Sequence, residues 1–309
     1  MILVFIKTLQ EIPIFTTPII KIMADKDTVF SKKQFINIKG TLIDVSKPSV
    51  MGIVNITPDS FYSGSRFIQI DDILNRVNQI ISEGSNFIDI GAYSSRPGAE
   101  NIDDKEEKNR LKPALDAISK QFPNVIISLD TFRSNIAEWA VNEFGVGIIN
   151  DISGGSLDSN MFKTIGKLKT PYILMHMRGT PQDMKLHTNY ANVAKEVITE
   201  LSGKVNALNE IGVSDIIIDP GFGFAKTIEQ NFELLQKLNA FQMFELPILV
   251  GLSRKSMIYK SLEVTPEDSL TGTIALNTIA LLKGAQILRV HDVKEACQTI
   301  KLVQLLNKN

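Results

Sequence analysis

The sequence predicts an α/β protein folded as a (β/α)8 TIM barrel with a short N-terminal β-hairpin. Eight short apolar runs, typical of strands buried on both faces, alternate with segments of helical spacing over about 260 residues. Polar residues directly follow these runs, as they do at the face of such barrels that carries active sites. An open doubly wound sheet is the alternative, but no G-x-G-x-x-G pattern follows the first run.

The elements follow in a regular order. Residues 34–38 and 41–45 flank the turn Lys39-Gly40, which predicts the β-hairpin ahead of the barrel. Strands are then predicted at residues 50–54, 87–90, 125–129, 146–149, 172–175, 216–218, 248–250 and 285–288. Helical spacing of apolar residues lies between them and continues from Val293 to Leu306. We therefore expect one barrel domain over residues 34–309.

Residues 1–33 precede the predicted hairpin, and the first 23 of them form an apolar segment that is interrupted by charges and by Pro13 and Pro18. These interruptions make it a poor transmembrane helix, and it lacks the pattern of a secretory signal. We expect either a poorly ordered tail or upstream residues that are not part of the mature protein, in which case Met23 is its start. A membrane-attached tail is the weaker alternative.

Composition excludes several classes of partner. The chain has 309 residues and a formal net charge of −1, so no basic field indicates binding of nucleic acid or of an anionic membrane. The single cysteine, Cys297, rules out an intrachain disulfide and a cysteine metal cluster. We expect it to be an inert core thiol in a cytoplasmic protein.

One set of strand-end residues suits a flat heterocycle. Asp130 and Asp219 offer carboxylates that only accept hydrogen bonds, whereas the Asn150 carboxamide both donates and accepts. Together they suit the amino-and-NH edge of a pterin or guanine. Two alternatives stay open: Asp130 caps the helix that begins near Ser134, and Asp219 is only a turn residue before Pro220.

A second set suits a phosphate or pyrophosphate, because it combines cations with hydroxyls: Lys255, Arg289, His291, Ser94, Ser95 and Arg96. Alternatively, Arg254 and Lys255 are solvated charges at a helix start and His291 is a cap. His176 follows a buried strand and is predicted to be a hydrogen-bonded structural histidine. The three histidines of the chain have no zinc-binding spacing.

Eight motifs in order resemble those of dihydropteroate synthase, from about residue 34 to the end. They are MGIVNITPDSF (51–61), DIGAYSSRPG (89–98), SLDT (128–131), IINDI (148–152), LMHM (174–177), DPGFGF (219–224), GLSRKSM (251–257) and RVHDV (289–293). The family's fold is the same barrel. The resemblance implies condensation of 6-hydroxymethyl-7,8-dihydropterin pyrophosphate with p-aminobenzoate to give dihydropteroate and pyrophosphate, with Mg²⁺. It also implies a homodimer.

The resemblance further implies a role for each matching residue. Asp130, Asn150, Asp219 and Lys255 would hold the pterin, with Arg289 against its face and Phe224 nearby. The pyrophosphate would contact Asn55, Arg96, Arg289, His291, Ser94 and Ser95, with magnesium close to Asn55. The aminobenzoate would lie among Phe61, Ser95, Pro97, Lys255 and Ser256. Asp130, Lys255, Arg289 and His291 are the candidate catalytic residues.

Two loops depart from the usual family pattern. Ala92-Tyr93-Ser94-Ser95 replaces Gly-Glu-Ser-Thr, and Tyr62-Ser63-Gly64-Ser65 replaces Ser-Asp-Gly-Gly. The Glu and Asp of the usual pattern are therefore absent, and we expect their absence to affect loop ordering and the contact with magnesium rather than the reaction.

An aromatic amine is already neutral at pH 7, so the difficult step is departure of pyrophosphate, and we expect an SN1-like path. No histidine–carboxylate base pair is evident among the strand-end residues, which agrees with this expectation. Two other functions stay open: a pterin-dependent methyltransferase barrel, and a catalytically silent pterin-binding partner subunit.

Overall fold

The computed structural model describes residues 33–56, 66–94 and 101–306, with the backbone alone for residues 66–69. The predicted hairpin is present: β1 (Phe35–Ile38) pairs antiparallel with β2 (Thr41–Asp44). Lys39 and Gly40 both have positive φ, which closes the two-residue turn. The predicted tail falls almost wholly on residues 1–32, which lie outside the described residues.

Eight parallel strands form the barrel. They are β3 (Ser49–Asn55), β4 (Phe87–Gly91), β5 (Ile126–Asp130), β6 (Ile148–Asp151), β7 (Tyr172–Met175), β8 (Ile216–Asp219), β9 (Leu249–Val250) and β10 (Ile287–Val290). The strand order is β8-β7-β6-β5-β4-β3-β10-β9. One parallel bridge, Ile218 to Ile248, connects the two ends of the sheet. The predicted (β/α)8 barrel is therefore confirmed.

Helices connect the strands, as the helical spacing predicts. They are α1 (Arg66–Ser82), α2 (Asp104–Gln121), α3 (Ser134–Phe144), α4 (Met161–Leu168), α5 (Val193–Glu210), α6 (Ile228–Gln236), α7 (Ser256–Tyr259), α8 (Leu270–Leu282) and α9 (Val293–Leu306). Their apolar faces pack on alternate strand residues in the larger core cluster. No helix among residues 33–56, 66–94 and 101–306 has the length and apolarity needed to cross a membrane.

Two strand predictions begin two residues too early. Val146 and Ala285 are buried, but β6 starts at Ile148 and β10 at Ile287. Both residues lie in the turn that enters the strand, where packing against helices requires an apolar side chain without ladder pairing. Apolar character alone cannot distinguish a residue buried within a strand from one buried in the segment before it.

A separate core cluster fills the lower end of the barrel, where the strands begin. Each barrel strand except β5 contributes one fully buried residue to it: Met51, Phe87, Ile148, Ile173, Ile217, Leu249 and Ile287. Ile36, Ile38 and Val45 of the hairpin region join the same cluster. The hairpin therefore closes this end, and the opposite end, where the strands finish, remains for a ligand.

Candidate active site

Asp89 is the polar centre of the upper end. It lies on β4 two residues after Phe87, and it is fully buried. Its Oδ1 accepts from the Ser128 hydroxyl at 2.6 Å, and its Oδ2 accepts from Asn150 Nδ2 at 3.0 Å and from Arg289 Nε at 2.6 Å. One carboxylate thus fixes side chains from three other strands. A buried carboxylate is stable only when paired and hydrogen-bonded in this way.

Arg289 connects Asp89 with Asp130. Its Nη2 donates to Asp130 Oδ2 at 2.9 Å while Nε serves Asp89. Burial opposes the charged guanidinium, but Asp89 and Asp130 outweigh burial and raise the pKa of Arg289. The side chain is 21% exposed, so the two carboxylates do not enclose Arg289 completely.

Asp130 ends β5 and does not cap the next helix. The residue at the helix N-cap position is Arg133, and the Ser134 N–H donates to Asp158 at 2.7 Å instead. Burial raises the pKa of Asp130 to about 7, although Arg289 acts to lower it and Asp89 adds to the rise. The structure therefore decides between the two interpretations of Asp130. It does not cap a helix, and it belongs to the polar cluster that Asp89, Asn150 and Arg289 form.

Asp219 ends β8, and the charges of Asp219 and Lys255 affect each other's pKa. The Gly221 N–H donates to Asp219 Oδ1 at 2.8 Å, so the predicted turn role is real. Burial raises the pKa of Asp219, with Lys255 acting in the opposite direction. Burial lowers the pKa of Lys255 to about 8, against the pull of Asp219. The turn bond and the electrostatic pairing with Lys255 therefore coexist.

The Lys255 ammonium group contacts the 222–224 segment and is not a solvated surface charge. Its Nζ donates to the Phe222 backbone oxygen and lies 4.8 Å from the centre of the Phe224 ring. Arg254, next to it, turns away and pairs with Asp292, at 2.5 Å between Nη2 and Oδ1. Ser256 begins α7 directly after Lys255.

His291 is a neutral imidazole beside Ser253. The His291 backbone N–H donates to Ser253 Oγ at 3.2 Å, and Ser253 Oγ lies 3.1 Å from His291 Nδ1. The Ser253 hydroxyl has one proton to donate, and when it donates that proton to Nδ1 the neutral imidazole carries its own proton on Nε2. Burial lowers the pKa of His291 to about 4, and Arg289 lowers it further.

Asn55, the last residue of β3, is the only predicted magnesium contact. Its carboxamide makes no hydrogen bond to any described residue, and it is partly exposed. The described residues contain no group of three or more His, Cys, Asp or Glu side chains that could hold a metal ion. A neutral amide oxygen fits a magnesium ion that is bound mainly by phosphate oxygens and water.

Several predicted residues lie outside the described residues: Phe61, Ser95, Arg96 and Pro97, together with the departures Ser63 and Ser65. Ser94 is described and makes a polar interaction. The third departure, Tyr93, is also described: its ring packs edge-on against Phe132 at 5.0 Å, and its hydroxyl accepts from Gln182 Nε2 at 2.7 Å. Tyr93 thereby joins the segments that follow β4, β5 and β7.

His176 is a buried structural histidine, as predicted. Its Nε2 lies 3.0 Å from Glu200 Oε2, and its Nδ1 lies 3.1 Å from Lys226 Nζ. Burial lowers the pKa of His176 to about 4, and Lys226 lowers it further. With both nitrogens engaged, the His176–Glu200 pair is not a free base.

Two residues of this region were missed by sequence reasoning. Asp89 stands two positions after Phe87 inside an apolar run, and this interruption of the run by a charge was the available signal. Lys226 follows the 219–224 motif, and a lysine after a loop has the same sequence signature as a solvated surface charge. The contacts of Asp89, and the contact of Lys226 with His176, join residues far apart in the chain.

Comparison with known proteins agrees with this geometry. A family profile described as pterin binding enzyme matches residues 51–291. The dihydropteroate synthase of Escherichia coli K12 is 38% identical over 268 residues, which cover 86% of this chain and 94% of that protein. The dihydropteroate synthase of Synechocystis sp. PCC 6803 is 40% identical over 270 residues, 86% of this chain and 93% of that protein.

Solved structures give the same result. The crystal structure of Yersinia pestis dihydropteroate synthase with a sulfonamide drug matches with a TM-score of 0.83 and 35% identity, covering 89% of this chain and all of that one. Xanthomonas albilineans dihydropteroate synthase with 4-aminobenzoic acid matches with a TM-score of 0.82 and 32% identity, covering 89% of this chain and 99% of that one.

Proposed function

The chain belongs to the dihydropteroate synthase family of pterin-binding enzymes, and we propose that its polar barrel mouth carries the reaction by the residue roles given below. The enzyme is a transferase of folate synthesis that joins a dihydropterin pyrophosphate to p-aminobenzoate. The observation that carries the assignment of roles is the convergence of Asp89, Asp130, Asn150 and Arg289 on one layer of the barrel.

The pterin is held by acceptors and donors of the upper layer. The carboxyls of Asp130 and Asp219 accept from the amino and N–H groups of the ring, while the Asn150 carboxamide, oriented by Asp89, presents its oxygen. Lys255 donates to a ring acceptor, and Arg289 and Phe224 lie against the faces. The support for this arrangement is that these side chains lie at the ends of neighbouring strands and that burial raises the pKa of both aspartates.

The pyrophosphate is held on the other side of Arg289. The Arg289 side chain is 21% exposed, and the His291 imidazole offers an Nε2–H donor in the tautomer in which the Ser253 hydroxyl donates to Nδ1. Ser94 and Asn55 add neutral polar groups. Ser95 and Arg96 belong to the same proposal but lie outside the described residues. Charge that develops on the leaving oxygen is stabilised by donors already in place, which costs no reorganisation.

Asn55 is the residue that would hold magnesium, and the ion would arrive with the pyrophosphate rather than reside in the free protein. A carboxamide oxygen that accepts no hydrogen bond from the described residues fits that mode of binding. When bound, magnesium supplies neutralisation of negative charge on the pyrophosphate.

The bond to pyrophosphate breaks before the amine attacks. Positive charge on the dihydropterin methylene is favoured by Asp130 and Asp219, and the neutral amine needs no strong base. The one buried histidine–carboxylate pair of the described residues, His176 with Glu200, has both ring nitrogens engaged. The chain's residues therefore assist leaving-group departure rather than deprotonation of the nucleophile.

The aminobenzoate lies between Lys255, Ser256 and the segments that contain Phe61, Ser95 and Pro97. The Xanthomonas relative was solved with 4-aminobenzoic acid and the Yersinia relative with a sulfonamide drug. We propose that both classes of compound occupy this position here, with sulfonamides as competitors of the substrate.

We further propose that the active form is a cytoplasmic homodimer of the 34–309 domain, and that residues 1–33 are a tail without a role in the reaction. Exposed apolar side chains of α8 and α9 support a contact with a second copy; they are Ile279, Leu282, Leu302 and Leu305. Sedimentation velocity should give twice the chain mass, and Leu282→Lys should shift the protein toward the monomer.

A single assay tests the proposed reaction. Purified protein is mixed with dihydropterin pyrophosphate and magnesium, and pyrophosphate release is followed with and without p-aminobenzoate. We expect dihydropteroate and pyrophosphate in equal amounts when both substrates are present. Without the amine, ¹⁸O placed in the bridging position should scramble into the nonbridging oxygens, because bond cleavage precedes attack. Turnover without any scrambling would contradict the SN1-like path and leave the overall reaction standing.

A further inference from the structure

Lys226 is a buried cation that the reaction described above does not use. It is only 8% exposed, and its Nζ has three partners: the Gly221 backbone oxygen at 2.9 Å, the Phe224 backbone oxygen at 3.0 Å and His176 Nδ1 at 3.1 Å. An ammonium group has three protons to donate, so all three are used and none is left for a ligand. Lys226 therefore acts on the site through the backbone that it holds.

That backbone is the 221–224 turn, which contacts the pterin half of the site at three points. The Gly221 N–H donates to Asp219, the Phe222 oxygen accepts from Lys255, and the Phe224 ring lies beside Lys255 Nζ. Lys226 binds the first and last residues of this turn. A shift of the turn would move Asp219 and Lys255 together.

The turn cannot be maintained by backbone preference alone. Gly221 and Gly223 have φ of +70° and +81°, and Ala225 has φ of +49°. A Cβ at Gly221 would collide with the His176 backbone oxygen, so the turn packs directly on the end of β7. Glycine adopts such a conformation without strain, so the residue whose left-handed backbone must be imposed by surrounding contacts is Ala225, directly before Lys226.

His176 connects Lys226 to α5. Glu200 on α5 accepts from His176 Nε2 and also pairs with Arg178. The hydrogen bond to Glu200 fixes the imidazole proton on Nε2, which leaves Nδ1 as an acceptor for Lys226. Burial acts to raise the pKa of Glu200, yet its bonds to His176 and Arg178 lower that pKa to about 2, so the acceptor stays ionised.

The charge of Lys226 also faces Asp219. Burial lowers the pKa of Lys226 to about 7, and Asp219 is the group that most opposes this effect. The same cation acts to lower the pKa of Asp219. Buried opposite charges of this kind stabilise one another more strongly than charges in water.

We propose that Lys226 is a positioning residue of the pterin half of the site: it clamps the 221–224 turn so that Asp219 and Lys255 keep their binding geometry. This inference rests on the proposed roles of Asp219 and Lys255. The clamp acts on the pterin side, so the aminobenzoate side should be insensitive to it.

The test compares Lys226→Met with a matched control, Lys204→Met. Lys204 is a half-buried lysine that also binds a loop, through the Ser153 backbone oxygen at 3.1 Å and Ser156 Oγ at 2.8 Å, but that loop follows β6 and carries no proposed ligand. Binding of 6-hydroxymethyl-7,8-dihydropterin is measured by calorimetry, which requires no turnover, and the KM of each substrate is measured separately.

We expect Lys226→Met to weaken pterin affinity and raise the pterin KM by about ten-fold or more, with the p-aminobenzoate KM within about two-fold. Lys204→Met should leave both within about two-fold of the parent protein. Equal effects of the two variants on pterin affinity, or pterin affinity of Lys226→Met within about two-fold of the parent, would overturn the proposal.

A second variant covers the case in which Lys226→Met does not fold. His176→Gln retains a polar group at the same place but loses the Nδ1 acceptor, so pterin affinity should fall by about two- to five-fold while p-aminobenzoate is unaffected. Unchanged pterin affinity in His176→Gln would then overturn the proposal. Failure of the parent protein to turn over both substrates would instead contradict the proposed function, because the binding measurements do not depend on turnover.

Discussion

Along the barrel strands, the inward-facing residues change from apolar to mostly polar within two positions. The lower layer is apolar and consists of Met51, Phe87, Ile148, Ile173, Ile217, Leu249 and Ile287. Two residues further along stand Ile53, Asp89, Asn150, Met175, Asp219, Gly251 and Arg289. Asp130 of β5, the ladder partner of Asn150, completes this upper layer. Positions i and i+2 of a strand share a face, so both layers line the same interior.

The difference separates stability from ligand binding. The lower layer is covered by the hairpin and buries apolar surface without charges. The upper layer brings two carboxylates, Asp89 and Asp130, to one guanidinium, and burial raises the pKa of Asp130 to about 7. Charges held in this way cost free energy of folding, which indicates that the upper layer is retained for what it binds.

The largest effect on stability should come from the lower layer. Phe87→Ala should reduce the free energy of unfolding by about 3–5 kcal/mol, because a fully buried aromatic ring leaves a cavity. Urea denaturation measures this, and the substrate KM values of the folded fraction should stay unchanged. Leu42→Ala is the control: this side chain is 67% exposed, so its removal should change stability by about 0.5 kcal/mol or less. A Phe87→Ala protein with altered pterin KM would break the separation of the layers.

Asp89→Asn should mainly affect activity. In the parent protein Ser128, Asn150 and Arg289 all donate hydrogen bonds to the Asp89 carboxylate. The amide of the variant places an NH2 donor against one of these donors. We expect kcat/KM to fall on the order of 100-fold, because misplacement of Asn150 and Arg289 disturbs both halves of the site. Ser128→Ala is the control, since it keeps the carboxylate and its bonds to the other two residues. A decrease of less than three-fold for Asp89→Asn would show that the remaining contacts position the site without it.

Asp219→Asn should weaken pterin binding by about 1–3 kcal/mol, because an acceptor-only group is replaced by one that also donates. Its control lies just before the opposite end of β8, where Asp215 pairs with Lys33 at 2.6 Å in a partly exposed ion pair. Asp215→Asn should leave pterin affinity unchanged and alter stability by less than about 1 kcal/mol. Calorimetry with a dihydropterin ligand distinguishes the two, and equal affinities would remove Asp219 from the site.

The smallest effect should come from removing residues 1–23. Their sequence offers no periodic apolar face that could pack on the barrel. Activity and thermal midpoint should therefore stay close to those of the full chain. A large loss of either would show that the tail belongs to the fold.

The sequence predicted the scaffold and part of the upper layer. The alternation of apolar runs with helical spacing was sufficient for the barrel, and strand ends identified Asp130, Asn150, Asp219, Arg289 and His291 as neighbours. Asp89 was not identified because a charge inside an apolar run has no local partner that could reveal it. Lys226 was not identified because its acceptors are two backbone oxygens and a histidine fifty residues away. Contacts of this kind depend on the closed barrel and not on local pattern.

The central claim is that the upper layer reduces stability in return for ligand binding, and Asp130→Asn tests it most directly. The amide keeps an oxygen for Arg289 Nη2 but cannot ionise. A carboxyl whose folded-state pKa is raised contributes stability fully below its unfolded-state pKa, near 3.9, and loses it as pH rises through about 7.

The measurement is the free energy of unfolding of both proteins between pH 4 and pH 8, together with pterin affinity at pH 8. The stability of Asp130→Asn relative to the parent protein should rise from pH 4 to pH 7 and then level off, while its pterin affinity at pH 8 falls. A stability difference that is flat or decreases over this range, with pterin affinity unchanged, would contradict the account.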